Sequence, residues 1–326
     1  MLNNAYGIFA LFQLVNFVYF GSFAEADLKR ISRQYTAPVT IVGDNVDDLV
    51  VKGVRHIKDE GERFNARAGS GQQAYDVSYV LLNPNNRLHL IRKPKSVRYF
   101  SRELVAYFNG SLDVNAGLAQ ASPFWKTLAD KDGKIASNYG YYVFHQRVPE
   151  TGNKTQYEWV IDNLVNNLDS RKAFININQP MHKIKESKDF PCTLGMQFFV
   201  RDNNLCCIVS SRSTDVYTGL PYDMGFFSFV AELVYKDLKE KLPEEQSKNL
   251  RLGTIVMKAN FTQIYDKTRD AALDVLNCTS SDCDDRMPTI ENAQETLKDI
   301  YNQTYNTPVM QWIYKHAELP KTNTIK

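Results

Sequence analysis

The run K-D-F-P-C-T-L-G-M-Q-F-F-V puts Cys192 behind a proline, at the mouth of an apolar stretch. A cysteine in such a place can fill space, since a buried thiol behaves as a small hydrophobe, or it can react. The segment that follows, S-R-S-T-D-V-Y-T-G-L-P-Y-D-M-G at 211–225, holds Arg212, several hydroxyls, Asp215, a Gly219-Leu220-Pro221 turn and Asp223. Between the two lies Asp202-Asn203-Asn204, a hairpin signal. A hairpin would return the chain beside its own start and bring Arg212 to Cys192. A neighbouring guanidinium favours thiolate over thiol, which is the activation a nucleophilic cysteine needs. Glu103 is a third candidate, because it lies on an otherwise apolar helix face where a carboxylate is costly unless something uses it.

Elements must hold these groups together. Periodicity predicts helices over 46–64, 99–108, 157–168, 226–238 and 266–276, and a helix over 294–316 with a break at Pro308. Strand-like runs fall at 77–82, 87–91, 173–177, 194–200, 205–211 and 254–257, and N-A-R-A-G-S-G at 65–71 reads as a glycine-punctuated turn carrying Arg67. Strands and helices mix without strict βαβ alternation, which predicts an α+β class with a mixed sheet flanked by helices. The expected organisation is one main domain over 46–326, a decorated segment within it at 277–307, and an N-terminal extension at 1–45 to which no role is assigned.

Composition bounds the partners. A chain of 326 residues with a formal net charge of +2 is expected to be soluble and globular, with no electrostatic reason to bind polymeric nucleic acid. Local Lys and Arg clusters can still hold a single phosphate, so a small-molecule partner is expected. Cys192, Cys206, Cys207, Cys278 and Cys283 do not form a disulfide framework, which points to a reducing, cytoplasmic setting. Cys278 and Cys283 have no second pair and no nearby His, which argues against zinc, and no metal is expected. Residues 5–24 are uncharged and long enough to span a bilayer. No Lys or Arg precedes them and Gln13 and Asn16 interrupt them, so the reading favours an extension over a membrane anchor.

Seven separated motifs occur in order: R-A-G-S-G from Arg67, S-R-E-L-V-A-Y-F-N-G around Glu103, F-W-K-T-L-A-D-K-D-G-K-I-A-S-N-Y-G at 124–140, D-S-R-K at 169–172, F-P-C-T, R-S-T-D-V-Y-T-G-L-P-Y-D, and A-N-F-T-Q-I-Y at 259–265. Together they resemble the thymidylate synthase superfamily, which includes nucleotide hydroxymethylases of bacteriophages. The resemblance implies that family's fold, a sheet-to-sheet homodimer, and 5,10-methylenetetrahydrofolate as co-substrate. It also implies that Cys192 adds to C6 of a pyrimidine deoxynucleoside monophosphate. Arg67, Arg212 and Ser213 would hold the phosphate, with Arg171 and Lys172 reaching in from the other subunit. Gln263, standing where the family has His, and Tyr265 would hold the deoxyribose hydroxyl. Glu103 would organise water and proton transfers, while Lys93, Trp125, Tyr139, Asp215 and Gly219 would line the folate side, with Asp215 also counted toward the substrate.

Asp223 stands where thymidylate synthases carry Asn. An amide satisfies the N3–H and O4 of uracil at once, whereas a carboxylate suits the N4 amino group and a protonated N3 of cytosine. The expected activity is therefore deoxycytidylate 5-hydroxymethyl transfer, completed by water. A deoxyuridylate hydroxymethylase, a deoxycytidylate methylase, a divergent thymidylate synthase and a catalytically idle nucleotide-binding homologue remain alternatives.

Overall fold

The computed structural model describes residues 38–184, 187–278 and 286–319; the apolar run at 5–24 and Cys283 lie outside them. β1 (Val39–Gly43) leads into α1 (Val46–Glu60), where the Asn45 side chain accepts the Asp48 amide at 2.8 Å and so satisfies a donor that the first turn leaves open. Gly61 ends α1 with its amide on the Ile57 carbonyl. The helix expected to run to 64 therefore stops at 60, and the next residues form β2 (Glu62–Ala66), hairpinned to β3 (Gly69–Leu81). Arg67 sits on the turn between them.

Residues 87–91 are not a strand. Their polar members are buried instead: Arg87 pairs with Glu232, and His89 Nδ1 lies 2.5 Å from Asp47. α2 (Lys95–Asn109) follows and carries Glu103; it closes on Gly110 in the left-handed region at φ 66°, which glycine adopts without Cβ strain. A π-turn at Tyr141–His145, the short pair β4 (Arg147–Val148) and β5 (Lys154–Thr155), and α3 (Gln156–Asn166) come next, the last started by a reciprocal Thr155–Glu158 capping box.

β6 (Phe174–Asn176), β7 (Thr193–Arg201) and β8 (Asn204–Ser211) then pair antiparallel in sequence. The predicted hairpin is present, with Asp202 and Asn203 both at positive φ in its two-residue turn. β9 (Thr214–Asp215) precedes α4 (Leu220–Lys241), which begins six residues before the expected start because Pro221 is compatible with a first helical turn. α5 (Glu244–Ser247), β10 (Arg251–Tyr265), α6 (Arg269–Asp274), α7 (Ala293–Asn302) and α8 (Pro308–Ala317) complete the order. Pro308 opens α8 rather than kinking one long helix, and the Asp299 carboxylate receives the Asn306 and Thr307 amides that turn the chain.

The main sheet runs β1-β3-β10-β8-β7-β6, with β2 on β3 and β9 on β10. β1–β3 and β8–β10 are parallel and the other neighbours on that path antiparallel, so the class is α+β with a mixed sheet, as expected. β1 belongs to this sheet although sequence reading assigned its residues to the extension; five residues are too few for periodicity to separate a strand from a linker. α4 is the core helix, with Phe226, Phe227 and Phe229 fully buried. α7 is tied to it by Gln294 on Asp237, and α8 is tied to α2 by the Arg102 guanidinium on the Ala317 carbonyl. A Cβ on Gly140 would overlap the Tyr107 carbonyl, so glycine lets the S-N-Y-G segment lie directly on α2.

Candidate active site

Cys192 ends a loop, residues 187–192, that is gripped from three sides. Arg67 donates to the carbonyls of Ser187, at 3.4 Å, and Lys188. Arg212 donates to the Phe190 carbonyl at 2.6 Å and the Pro191 carbonyl at 3.2 Å, and its Nη2 lies 3.4 Å from the Cys192 sulfur. Asp189, buried, accepts the Ala136 amide at 2.6 Å, the Ser137 amide at 2.9 Å and the Ser137 hydroxyl. The β7–β8 register shifts between Thr193 and Gly195, a bulge immediately after the cysteine. Bulges re-aim side chains, and here one turns the strand at its working end.

The hairpin thus delivers Arg212 to Cys192 as the sequence predicts. Arg212 favours the thiolate, as expected, but burial outweighs it. Burial pushes the Cys192 thiol up to about 11; Arg212 opposes the rise, and Asp223 and Asp189 add to it. Removing a sulfur anion from water costs more than one guanidinium returns.

Two carboxyls are coupled to this region, Asp223 acting on both Cys192 and Glu103. Asp223 lies in the first turn of α4, where a helix N-terminus favours charge, yet burial lifts its carboxyl to about 7. Glu103, 4% exposed on α2, is lifted by burial to about 8, with the Asp223 charge adding to the shift and a 2.7 Å hydrogen bond from the Tyr99 hydroxyl opposing it. The Tyr99 ring packs on Tyr222, 4.5 Å between centroids, so α2 and α4 meet beside both acids. Tyr139, buried and stacked on Tyr107, feels the charges of both Asp223 and Cys192.

The sugar-side group also assembles. Ser213 donates to Gln263 Oε1 at 3.1 Å, and Tyr265, on the same strand, feels Cys192 and Arg212. Asp215 pairs with Gln263 across β9–β10, and its carboxylate caps the turn into α4 by accepting the Tyr217 and Thr218 amides, each at 2.8 Å. Gly219 caps α4 and accepts the Asp223 amide at its carbonyl. Trp125 Nε1 is buried without an acceptor of good geometry, near the Tyr99 hydroxyl and beside Phe124, which is 53% exposed. An aromatic wall of Phe124 and Trp125 beside Tyr99 fits a flat heterocycle such as a pterin. Lys93 is exposed at the start of α2, one residue after Arg92, which donates to the Tyr217 carbonyl at 3.1 Å.

Arg171 and Lys172 are not brought to Cys192 within this chain. Both are exposed ahead of the edge strand β6 and line a separate cleft of about 680 Å³ with Trp159, Asp162 and Asn163. Sequence reasoning missed Tyr99 and Asp189. Tyr99 could have been found from its four-residue spacing to Glu103 on one helix face, whereas the partner of Asp189 is 52 residues away.

The family model described as thymidylate synthase matches residues 50–319. The chain belongs to the thymidylate synthase family. Enzymes of this family carry out folate-dependent one-carbon transfer to a pyrimidine nucleotide, so the pocket around Cys192 is the one in which that chemistry is sought. Relatives include the deoxycytidylate 5-hydroxymethyltransferase of Enterobacteria phage T6, 28% identical over 173 residues that cover 52% of this chain and 67% of the relative. Proteins of the same description from phages T4 and T2 are each 27% identical over the same shares. Among the described residues no helix is long and apolar enough to cross a membrane.

Glu103 generates a stability prediction. Its folded pKa, about 8, lies above the usual 4.5, so the native state holds a proton that the unfolded chain releases. This contribution is intact below about 4.5 and is lost at about 1.4 kcal/mol for each pH unit up to about 8. Glu103→Gln, neutral at every pH, should therefore be more stable than wild type at pH 8 and lose that advantage by pH 5 in urea titrations. An equal gap at both pH values would contradict the buried, protonated acid.

Proposed function

We propose that this protein is a deoxycytidylate 5-hydroxymethyltransferase. The observation that carries the reading is Asp223, a carboxyl near half-protonation at neutral pH, in the pocket of the Cys192 thiol. One proton shared between Asp223 and cytosine N3 leaves the other carboxyl oxygen to accept from the N4 amino group. Uracil presents a donor at N3 and only the weakly basic O4, so the same proton meets a far poorer acceptor, and mismatched buried polar groups discriminate strongly. The description of the phage relatives supports the same reading.

The proton on Asp223 also has a chemical use. When Cys192 Sγ, having passed its proton to solvent water, forms a bond to C6, the C5–C6 π pair moves to C4–C5 and the C4–N3 π pair to N3, which takes the Asp223 proton. C5 becomes an enamine carbon able to attack a one-carbon electrophile. Methylenetetrahydrofolate supplies that carbon at the aldehyde level of oxidation when bound, and we assign Trp125, Tyr139, Asp215, Gly219 and Lys93 to hold it. Once C5 has taken the one-carbon unit, its own hydrogen leaves as a proton and the carrier's amine nitrogen departs with its electron pair. Water then adds to that carbon and surrenders a proton, which we assign Glu103, once ionised, to accept; the C6–Sγ bond breaks as N3 returns its proton to Asp223. Phosphate dianion recruits Arg67, Arg212 and Ser213, and its charge adds to the cost of a second anion nearby, so binding must also align Arg212 with the sulfur. Gln263 and Tyr265 are assigned to the deoxyribose hydroxyl.

Arg171 and Lys172 lie away from Cys192 in their own chain, and this supports a homodimer in which each completes the partner's phosphate site. Mixing Cys192→Ala with Arg171→Ala, each inactive alone, should restore roughly a quarter of the sites through heterodimers. No recovery after subunit exchange would remove the shared-site reading.

The activity itself is tested by product mass. Incubation with methylenetetrahydrofolate and deoxycytidylate should add a hydroxymethyl group, deoxyuridylate should react at least about 100-fold more slowly, and Cys192→Ala should be inert. A methyl group with dihydrofolate would make the enzyme a methylase or synthase. Preference for deoxyuridylate would overturn the role of Asp223.

A further inference from the structure

Asp189 has no part in the chemistry described above, yet it is 5% exposed and accepts three hydrogen bonds from one short segment. That segment, Ala136-Ser137, runs straight into Asn138 and Tyr139. Asn138 is fully buried and donates to the Ala106 carbonyl at 3.0 Å and the Ser111 carbonyl at 2.9 Å, which fixes the segment to α2 and the turn beyond it. On its other side Asp189 is three residues from Cys192, and Arg212 holds the intervening Phe190 and Pro191 carbonyls. One carboxylate therefore joins the wall that carries Tyr139 to the loop that carries the thiol.

We propose that Asp189 is a positioning residue for the Cys192 thiol, acting by tying the Ser137–Tyr139 wall to the cysteine loop so that the two sides of the pocket move as one body. A rigid tether matters because a displacement of about 1 Å at a reacting atom can cost about 100-fold in rate. A carboxylate suits the task, since its two oxygens accept charge-assisted bonds from two amides and a hydroxyl at once. The same choice has an electrostatic consequence. The Asp189 charge reaches Cys192 and favours the protonated thiol, so the loop that holds the sulfur in place also opposes its ionisation. The groups facing Asp189 are Tyr142 and His182, bonded to each other at 2.9 Å, and those facing the thiol are Arg212, Asp223, Tyr139 and Tyr265.

The inference rests on Cys192 being the reactive thiol of the proposed function, and its test separates the two. Asp189→Asn can keep the tether, with its oxygen accepting both amides and its NH2 donating to the Ser137 hydroxyl, while the charge is removed. Asp189→Ala removes both. Full-length variants are compared by the pH dependence of Cys192 alkylation with iodoacetamide, located by peptide mass, and by kcat per folded site. Asp189→Asn should move the alkylation midpoint to lower pH and hold kcat within about threefold of wild type; Asp189→Ala should lower kcat about 100-fold with the same direction of midpoint shift. An unchanged midpoint in Asp189→Asn, or full kcat per folded site in Asp189→Ala, would overturn the proposal. If Asp189→Ala fails to fold, Ser137→Ala, which removes one of the three bonds, takes its place and should lower kcat while leaving the midpoint unchanged. Alkylation needs no nucleotide, so it reads Asp189 even if the enzyme proves inactive on deoxycytidylate.

Discussion

The guanidinium of Arg212 is the point on which the candidate site turns. It holds two carbonyls of the loop before Cys192 and approaches the sulfur at 3.4 Å, so one side chain fixes where the thiol is and offsets part of the cost of ionising it. That double duty depends on the β7–β8 hairpin, which brings residues twenty apart into contact, and on the bulge that lets the strand turn just after the cysteine. A buried thiolate with no such partner would be far out of reach at neutral pH. Even with Arg212, burial holds the Cys192 thiol above its ordinary range.

Burial of the two acids follows the same logic. Asp223 and Glu103 are both lifted toward neutrality by removal from water, and the Asp223 charge raises Glu103 further. A cavity built for its own stability would not contain them, because Gln and Asn of similar shape would titrate nothing. Holding carboxyls near pH 7 costs native-state stability and makes proton exchange with a bound base possible, which is the usual trade between a stable pocket and a working one. Packing supplies the rigidity this needs: α4 is buried on nearly every side, α8 is fastened to α2 by Arg102, and Gly140 permits the S-N-Y-G segment to rest on the α2 backbone.

Much of this was legible in the sequence, and the exceptions have physical causes. The Asp-Asn turn announced the β7–β8 hairpin, since both residues tolerate positive φ, and the pairing of Cys192 with Arg212 followed from it. Local patterning failed where burial of polar groups imitated alternation: Arg87 and His89 looked like the outer face of a strand and are instead sequestered with Glu232 and Asp47 on two different helices. The effect of Arg212 on Cys192 was legible but the opposing effect of burial was not, because proximity of a cation can be read from a motif, whereas desolvation depends on everything packed around the sulfur. Asp189 was invisible for a related reason, as its value lies in a segment 52 residues away. Arg171 and Lys172 carry a clear motif, yet no single chain can display what they would do in a partner.

The claim at the centre of this account is that Cys192 bonds to C6 of a cytosine nucleotide while C5 takes up the one-carbon unit. 5-Fluorodeoxycytidylate tests it directly, because fluorine at C5 cannot leave as a cation and the adduct has no path forward. Intact-protein mass after incubation with this nucleotide and methylenetetrahydrofolate should show the protein plus both components, and peptide mapping should locate the attachment at Cys192. An unmodified protein under conditions where both ligands bind, or attachment at any other residue, would contradict the mechanism.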